Sequence, residues 1–406
     1  MKRRSYLAGV AATTLAGCTA SPIPDNTTVD WEGTGTDGEE PIDGPAEGET
    51  FDDFEDLSEW TVVEGSLYRV EDDEHATGDQ SAFLEVGESG SVRISRELSP
   101  PVDLSGMSPG LAMATDSPVS PYIQVNTADG GRFDFRQRSG ANRSLVRKTF
   151  GIGDVSGLPD MGAVTGIAIG LRGEEGTQLW IDDLHFVDRP ARGRVLLQFD
   201  GGFENHYTNA FPLVDEYGYP ATTFVPAARI REDVDHDGTR LTENQLDTLF
   251  GAGWTIGSYT MRGLDLTDQS DAEREAELGD AAERLAEFGF GDGSRYVSFP
   301  LGRYDDGILS LAADHYDLGF AGAYPAQGRA TNPLLCSKYP HPDVEDAKEV
   351  LDLTAQFGGI TALNYANVGD DSVETLEEVL SSLHELESEG ELEVITLAEF
   401  EEQFVV

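Results

Sequence analysis

The densest cluster of chemistry-bearing residues in this 406-residue chain is Asp233-Val234-Asp235-His236-Asp237-Gly238. Aspartates at alternate positions followed by glycine set oxygen ligands around a sharp turn, which is how a calcium loop begins. Such a loop closes on a bidentate glutamate at its twelfth position. Asn244 stands there, with Glu243 one residue early. Asp233, Asp235 and Asp237 are candidate ligands for a structural Ca2+; the competing reading is an acidic solvated loop. The seven histidines are His75, His185, His206, His236, His315, His341 and His384, and no two have ligand spacing. Cysteine occurs twice, at Cys18 and Cys336. Neither a histidine pattern nor a glycine elbow accompanies Cys336, so it reads as a small buried hydrophobe rather than a nucleophile.

The elements that must position such groups fall into two blocks. From about residue 50 to 190, short alternating runs such as SAFLEV (81–86), SVRISREL (91–98), YIQVNT (122–127) and LWIDDLHFV (179–187) are broken by turn residues. Alternation at period two without a helical period predicts an all-β sandwich. After Arg189-Pro190 the pattern changes. Apolar strands RVLLQF (194–199), ATTFVPA (221–227), WTIGSYT (254–260), RYVSFP (295–300), DLGFAG (317–322) and GITALNY (359–365) alternate with amphipathic helices. LTENQLDTLFGAG (241–253) carries an N-cap threonine, and a long helix over 268–290 opens at Asp268. This alternation predicts an α/β domain over 191–406 built on a parallel sheet or a (β/α) barrel; in a barrel the working groups sit at the C-terminal ends of the strands.

Four strand ends carry a recognisable text: Phe199-Asp200-Gly201-Gly202, Ala221-Thr222-Thr223-Phe224, Gly257-Ser258-Tyr259-Thr260 and Phe299-Pro300-Leu301-Gly302. In order and spacing they resemble the polysaccharide deacetylases (carbohydrate esterase family 4), and ITLAEF (395–400) resembles the way those domains end. The resemblance covers roughly 190 to 406 and implies a deformed (β/α) barrel. It also implies a divalent metal held by an aspartate and two histidines, an aspartate as general base and a late-strand histidine as general acid. The β block resembles, in outline only, a jelly-roll carbohydrate-binding module. There Glu55 and Asp183 are candidate calcium ligands or plain surface acids, and Trp60 and Trp180 are candidate sugar-stacking or core residues.

Residue by residue, the resemblance gives Asp200 the general-base position. Gly201 stands in place of the metal-binding aspartate, Tyr259 in place of the first histidine, and Gly263 or Arg262 in place of the second. Pro300 and Gly302 keep the substrate wall, while Ser298 replaces an arginine. Leu363-Asn364-Tyr365 lacks the late histidine. Metal activation lowers the pKa of bound water from 15.7 to about 7, so its loss removes most of the rate. The expectation is a pseudoenzyme that binds glycan in the old groove, lined by Tyr259, Pro300, Gly302, Arg303, Asp305 and Tyr365, with no cofactor there. The alternative is an active carbohydrate deacetylase or hydrolase rearranged around Asp200. Glu204 and His206 are either ligands of a replacement metal site, with Glu204 also a candidate partner acid for Asp200, or a polar helix start.

The opening MKRRSYLAGVAATTLAGC reads as a twin-arginine export signal over 1–18 with a lipobox ending at Cys18, the expected lipidation site. Residues 19–49 read as a disordered acidic tether. Together they predict export to the outer face of the membrane, with the membrane as a partner; the resemblance implies a glycan as the other. Asn26 and Asn142 open glycan-acceptor triplets. The net charge of −49, with four lysines (Lys2, Lys148, Lys338, Lys348), fits a halophile's protein and leaves no basic patch for nucleic acid.

Overall fold

The computed structural model describes residues 40–70, 75–232 and 239–406. Cys18, Asn26 and the loop aspartates Asp233, Asp235 and Asp237 lie outside the described residues.

The first domain is a two-sheet sandwich. Its strands are β1 (Ile42–Asp43), β2 (Thr50–Asp52), β3 (Thr61–Glu64), β4 (Ser66–Val70), β5 (Ser81–Glu85), β6 (Ser91–Asp103), β7 (Met107–Thr115), β8 (Tyr122–Thr127), β9 (Arg132–Arg136), β10 (Asn142–Thr149), β11 (Gly151–Ser156), β12 (Val164–Arg172) and β13 (Gln178–Asp188). One sheet runs β1-β6-β12-β8-β9-β11, with β3 also on β6; the other runs β10-β7-β13-β5-β4, with β2 on β13. Alternation does what the sequence asks. On β13, Leu179 and Ile181 enter the core beside Leu84, Ile94, Met113, Phe133 and Ile169, while Trp180 faces out. Each fully buried aliphatic or aromatic side chain of this kind contributes about 1.5–3 kcal/mol. The sandwich starts earlier than expected. Ile42 and Asp43 pair with Val102 and Asp103, and Glu47 holds Arg329 at 3.0 Å, so the end of the anticipated tether is fixed to the fold.

The second domain is a parallel barrel. Its elements are β14 (Gly193–Asp200), α1 (Phe211–Glu216), β15 (Thr222–Val225), α2 (Glu243–Gly251), β16 (Thr255–Ser258), α3 (Asp271–Glu287), β17 (Tyr296–Ser298), α4 (Asp306–His315), β18 (Leu318–Phe320), β19 (Tyr339–Pro340), α5 (Val344–Phe357), β20 (Ile360–Tyr365), α6 (Asp370–Glu389), β21 (Leu392–Val394) and α7 (Leu397–Phe404). The strand order is β18-β17-β16-β15-β14-β20-β19. Cys336, just before β19, pairs with Phe320 on β18, so the segment 336–340 joins the two edges and closes the ring. Caps start the helices where their sequences permit. Thr242 and Gln245 form a capping box on α2, Ser270 and Glu273 one on α3. Asp268, expected to open α3, ends a short 3-10 turn instead, because the box at Ser270 satisfies the free N–H groups of the first turn.

The two domains bury polar contacts against each other. Lys148 Nζ, 2% exposed as a residue, donates to Ser139 Oγ (2.6 Å) and to the Tyr304 hydroxyl. Gln137 Nε2 donates to Ser337 Oγ at 3.1 Å, and Phe133 meets Phe357 edge-on at 5.0 Å. Burial pulls the Lys148 ammonium below its ordinary pKa, and only the Tyr304 oxygen opposes this.

Candidate functional site

Strand parity places the central carboxylate. On β14, Val195, Leu197 and Phe199 face the helices, whereas Leu196 shares the inner core with Phe224, Phe320 and Ala362. Gln198 and Asp200 follow Leu196 at period two and so line the barrel interior. Asp200 ends the strand at 5% exposure.

A lysine reaches it from across the ring. Lys338, 5% exposed, donates from Nζ to Asp200 Oδ2 at 2.6 Å and to Ser298 Oγ at 2.5 Å. Three strand ends thus converge on one ammonium: β14 through Asp200, β17 through Ser298 and the closing segment through Lys338. The resemblance puts an arginine at position 298; here a serine stands there and the positive charge comes from position 338. Neither ion of such a buried pair is stable without the other.

Around the pair lie polar atoms with no hydrogen-bond partner among the described residues: Asp200 Oδ1, both amide atoms of Gln198, and Asn364 Nδ2. Gln198 and Asn364 are register neighbours on β14 and β20. Buried groups of this kind call for water or a ligand. The Tyr259 phenol is pushed well above its ordinary value by burial first and by the Asp200 charge second, so it stays a neutral donor. The imidazole of His341 titrates below its ordinary value through lost hydration; Asp200 and Lys338 act on it in opposite senses.

The residues present do not fit the divalent metal that the resemblance implies. Gly201 has φ +94°, and a Cβ there lies 2.8 Å from the Phe203 ring and 3.0 Å from Arg240 Nη1. Arg240 donates to the Gly201 carbonyl and stacks 3.8 Å over the Phe203 ring, so the aspartate's space is filled. A Cβ on Gly263 lies 2.9 Å from the Tyr259 ring. Among the described residues no three His, Cys, Asp or Glu side chains converge as a metal site.

The other expected residues sort themselves by their contacts. Pro300 is buried, and the turn it begins presents Leu301, 66% exposed with φ +59°, before Gly302 at φ +64°. Arg303 is held at the rim by Asp265 at 2.6 Å. Asp305 does not line the mouth: it caps α4 through the Ile308 N–H and pairs with Arg274 at 2.7 Å. Tyr365 also needs correction. It follows the outer parity of β20, stacks at 5.9 Å on Phe199 among the helix-facing core residues, and leaves Asn364 to face inward. The expected parity failed because a strand covered on both faces shows no polar alternation.

Glu204 and His206 are not partners of Asp200. Glu204 binds Arg231 at 3.0 Å and Gln245 at 3.3 Å. His206 is fully buried; its Nδ1 takes the Thr223 hydroxyl at 2.9 Å and its Nε2 faces the Ala366 carbonyl. Burial pushes its pKa down to about 4, so it is a neutral structural group. A hollow of ≈ 290 Å³ beside the Gly201–Phe203 turn is lined by Phe203, Glu204, Asn205, Thr208, Thr239 and Asn367.

In the sandwich, Trp60 is core, stacked on Phe54 at 5.4 Å. Glu55 and Asp183 do not form a shared cation site. Glu55 accepts the Asp79 and Gln80 N–H groups, and Asp183 accepts Thr50 Oγ1 and Arg147 Nε. Asn142 is fully buried and donates to the Met113 and Ser144 carbonyls, which removes it as a glycan acceptor. Cys336 is buried, with its thiol pushed up by desolvation. The residue that sequence reasoning missed is Lys338. Its signal was available: a lysine inside the apolar text LLCSKYP, in a chain with only four.

Residues 188–317 match the polysaccharide deacetylase family model. Over 124 residues, 30% of this chain, the sequence is 30% identical to YxkH of Bacillus subtilis (strain 168), which carries a polysaccharide deacetylase name. Over 125 residues it is 23% identical to the poly-beta-1,6-N-acetyl-D-glucosamine N-deacetylase of Staphylococcus aureus (strain MRSA252). These matches span 42% and 43% of the two relatives' lengths. Among solved structures, the family 4 carbohydrate esterase from Streptomyces lividans in complex with acetate is 13% identical. It covers 53% of this chain and 97% of its own, with a TM-score of 0.38. Residues 188–317 of the barrel domain are therefore similar in sequence to the polysaccharide deacetylases.

Proposed function

We propose that the barrel binds extracellular or cell-envelope glycan at its mouth and does not carry out metal-dependent deacetylation. The observation that carries this reading is Lys338, whose ammonium holds Asp200 and Ser298 while Phe203 and Arg240 fill the space of the metal-binding aspartate. A carboxylate already paired to a lysine lacks the Lewis acid that activates water in the family's chemistry. What remains is a polar, donor-rich mouth. Asp200 Oδ1, Gln198 and Asn364 offer buried hydrogen-bonding atoms, and Tyr259 with the Pro300–Gly302 turn forms a wall. Sugar hydroxyls suit such a lining, since each can both donate and accept.

The sandwich, with two facing antiparallel sheets, fits the jelly-roll type of carbohydrate-binding module in this reading. The twin arginines, Cys18 and the acidic composition support an exported, lipid-anchored protein of a high-salt surface. Any Ca2+ belongs to Asp233, Asp235 and Asp237.

A second reading has one observation in its favour. Asp200 Oδ1 has no hydrogen-bond partner among the described residues, which leaves a carboxylate oxygen available to a reacting group. Under that reading Asp200 is a base in a rearranged hydrolase. The two are separated by incubating the purified protein in molar salt with hexa-N-acetylchitohexaose and following acetate and shortened oligomers. Binding of the oligomer, weakened by Tyr259→Ala, with no acetate and no shorter product supports the binding reading. Turnover that Asp200→Asn abolishes overturns it.

A further inference from the structure

The outer face of the sandwich carries an aromatic stripe that the barrel's chemistry does not use. Tyr68 on β4, Phe83 on β5 and Trp180 on β13 are register partners across three adjacent strands. Their neighbours Ala82, Leu84, Leu179 and Ile181 enter the core, so period two turns all three rings outward. Tyr68 is 50% exposed, and Phe83 and Trp180 are half-buried. The ring centroids are 5.8 Å apart between Tyr68 and Phe83 and 4.9 Å between Phe83 and Trp180.

The row beside the stripe is polar. Ser66, Glu85 and Gln178 are also register partners on the same three strands, and Gln178 Nε2 lies 3.4 Å from Glu85 Oε2. A line of aromatic faces next to a line of hydroxyl, carboxylate and amide groups meets both halves of a pyranose ring. The apolar C–H face stacks on the rings, and the equatorial hydroxyls reach the polar row. A protein partner is disfavoured, because a stable interface needs roughly 1,200–2,000 Å² and three rings offer far less. An acidic glycan is disfavoured by Glu85 and by the chain's net charge of −49.

Resting on the reading of the sandwich as a carbohydrate-binding module, we propose that Tyr68, Phe83 and Trp180 form a stacking platform for a neutral pyranose chain. It is separate from the barrel mouth. In this sheet β10 is the strand whose Lys148 and Arg143 touch the barrel, at Tyr304 and Asp306, whereas β4 and β5 lie at the opposite edge. The molecule then offers a glycan two contact points, which raises avidity without any new contact.

The test is a titration of the full chain in molar salt with cellohexaose and with hexa-N-acetylchitohexaose, read by tryptophan emission and by calorimetry. At least one neutral hexamer shifts the tryptophan emission of the chain saturably, and the shift is lost in Trp180→Ala. Trp180→Ala and Tyr68→Ala each weaken that binding roughly tenfold, about one stacking contact, and Trp180→Phe, which keeps a ring, restores much of it. Equal affinity in wild type and Trp180→Ala overturns the platform. So does binding by neither hexamer. Binding lost in Asp200→Asn but kept in Trp180→Ala assigns the glycan to the barrel alone, which overturns the platform and leaves the barrel reading standing.

Discussion

Lys338 is the residue on which the site turns. Removing its ammonium leaves the Asp200 carboxylate buried beside Ser298 with no counter-charge. Lys338→Met should cost about 3–5 kcal/mol of unfolding free energy, the usual penalty for breaking a buried pair from one side. Adding Asp200→Asn to that variant should recover most of the loss, because the orphaned charge is then gone. Chemical denaturation of the three proteins at one salt concentration measures this. A Lys338→Met protein as stable as wild type contradicts the pairing. His206 gives a second prediction. Its folded pKa of about 4 lies below the ordinary 6.5, and it is buried neutral. The unfolded chain therefore binds a proton that the folded chain refuses between those values. Stability is full above pH 6.5 and falls as pH drops toward 4, by about 3 kcal/mol from this group. Comparing wild type with His206→Asn across that window isolates the contribution; identical pH dependence in the two proteins refutes it.

At the scale of elements, the strand ends decide what can be rebuilt. Gly201 needs φ +94°, and the volume beyond it belongs to Phe203 and Arg240. Gly201→Asp alone should destabilise by about 1–3 kcal/mol through backbone strain and crowding. Restoring all three ligand positions with Gly201→Asp, Tyr259→His and Gly263→His should still not yield stoichiometric zinc, as metal analysis after dialysis would report. Tight zinc binding by that variant shows the space to be open. The order of strands and helices was legible in the sequence because caps and apolar runs are local signals. Thr242 capped α2 as read, and the Phe199-Asp200-Gly201-Gly202 strand end placed Asp200 at the barrel mouth. Which side chains face inward was less legible. Tyr365 was assigned to the mouth, yet Asn364 holds that place, since both faces of β20 are covered and its text carries no period. Lys338 escaped because its partners lie 138 and 40 residues away, a contact that only closure of the ring creates.

On the scale of the whole molecule, sandwich and barrel share buried contacts. The Lys148 ammonium is sealed between them with hydroxyl partners only among the described contacts. Replacing it with an apolar side chain of similar length removes a desolvation penalty. Lys148→Met should therefore leave the melting temperature unchanged or raised, and a fall of several degrees would show the ammonium to be a net stabiliser. The acidic surface makes a separate prediction. With a net charge of −49, self-repulsion is strong at low ionic strength and screened once the Debye length shrinks to about 3 Å at 1 M. The melting temperature should climb steeply between dilute buffer and molar KCl, and a flat salt response would argue against charge as the determinant.

The most direct test remains the metal itself. Wild-type protein and Asp200→Asn are equilibrated with zinc or cobalt in molar salt, desalted and analysed for bound metal. With Lys338 on Asp200 and glycine at position 201, both proteins should retain the same substoichiometric amount. One equivalent in wild type that disappears in Asp200→Asn would mean that the carboxylate serves a metal after all, and that the barrel kept the chemistry its ligand positions had seemed to lose.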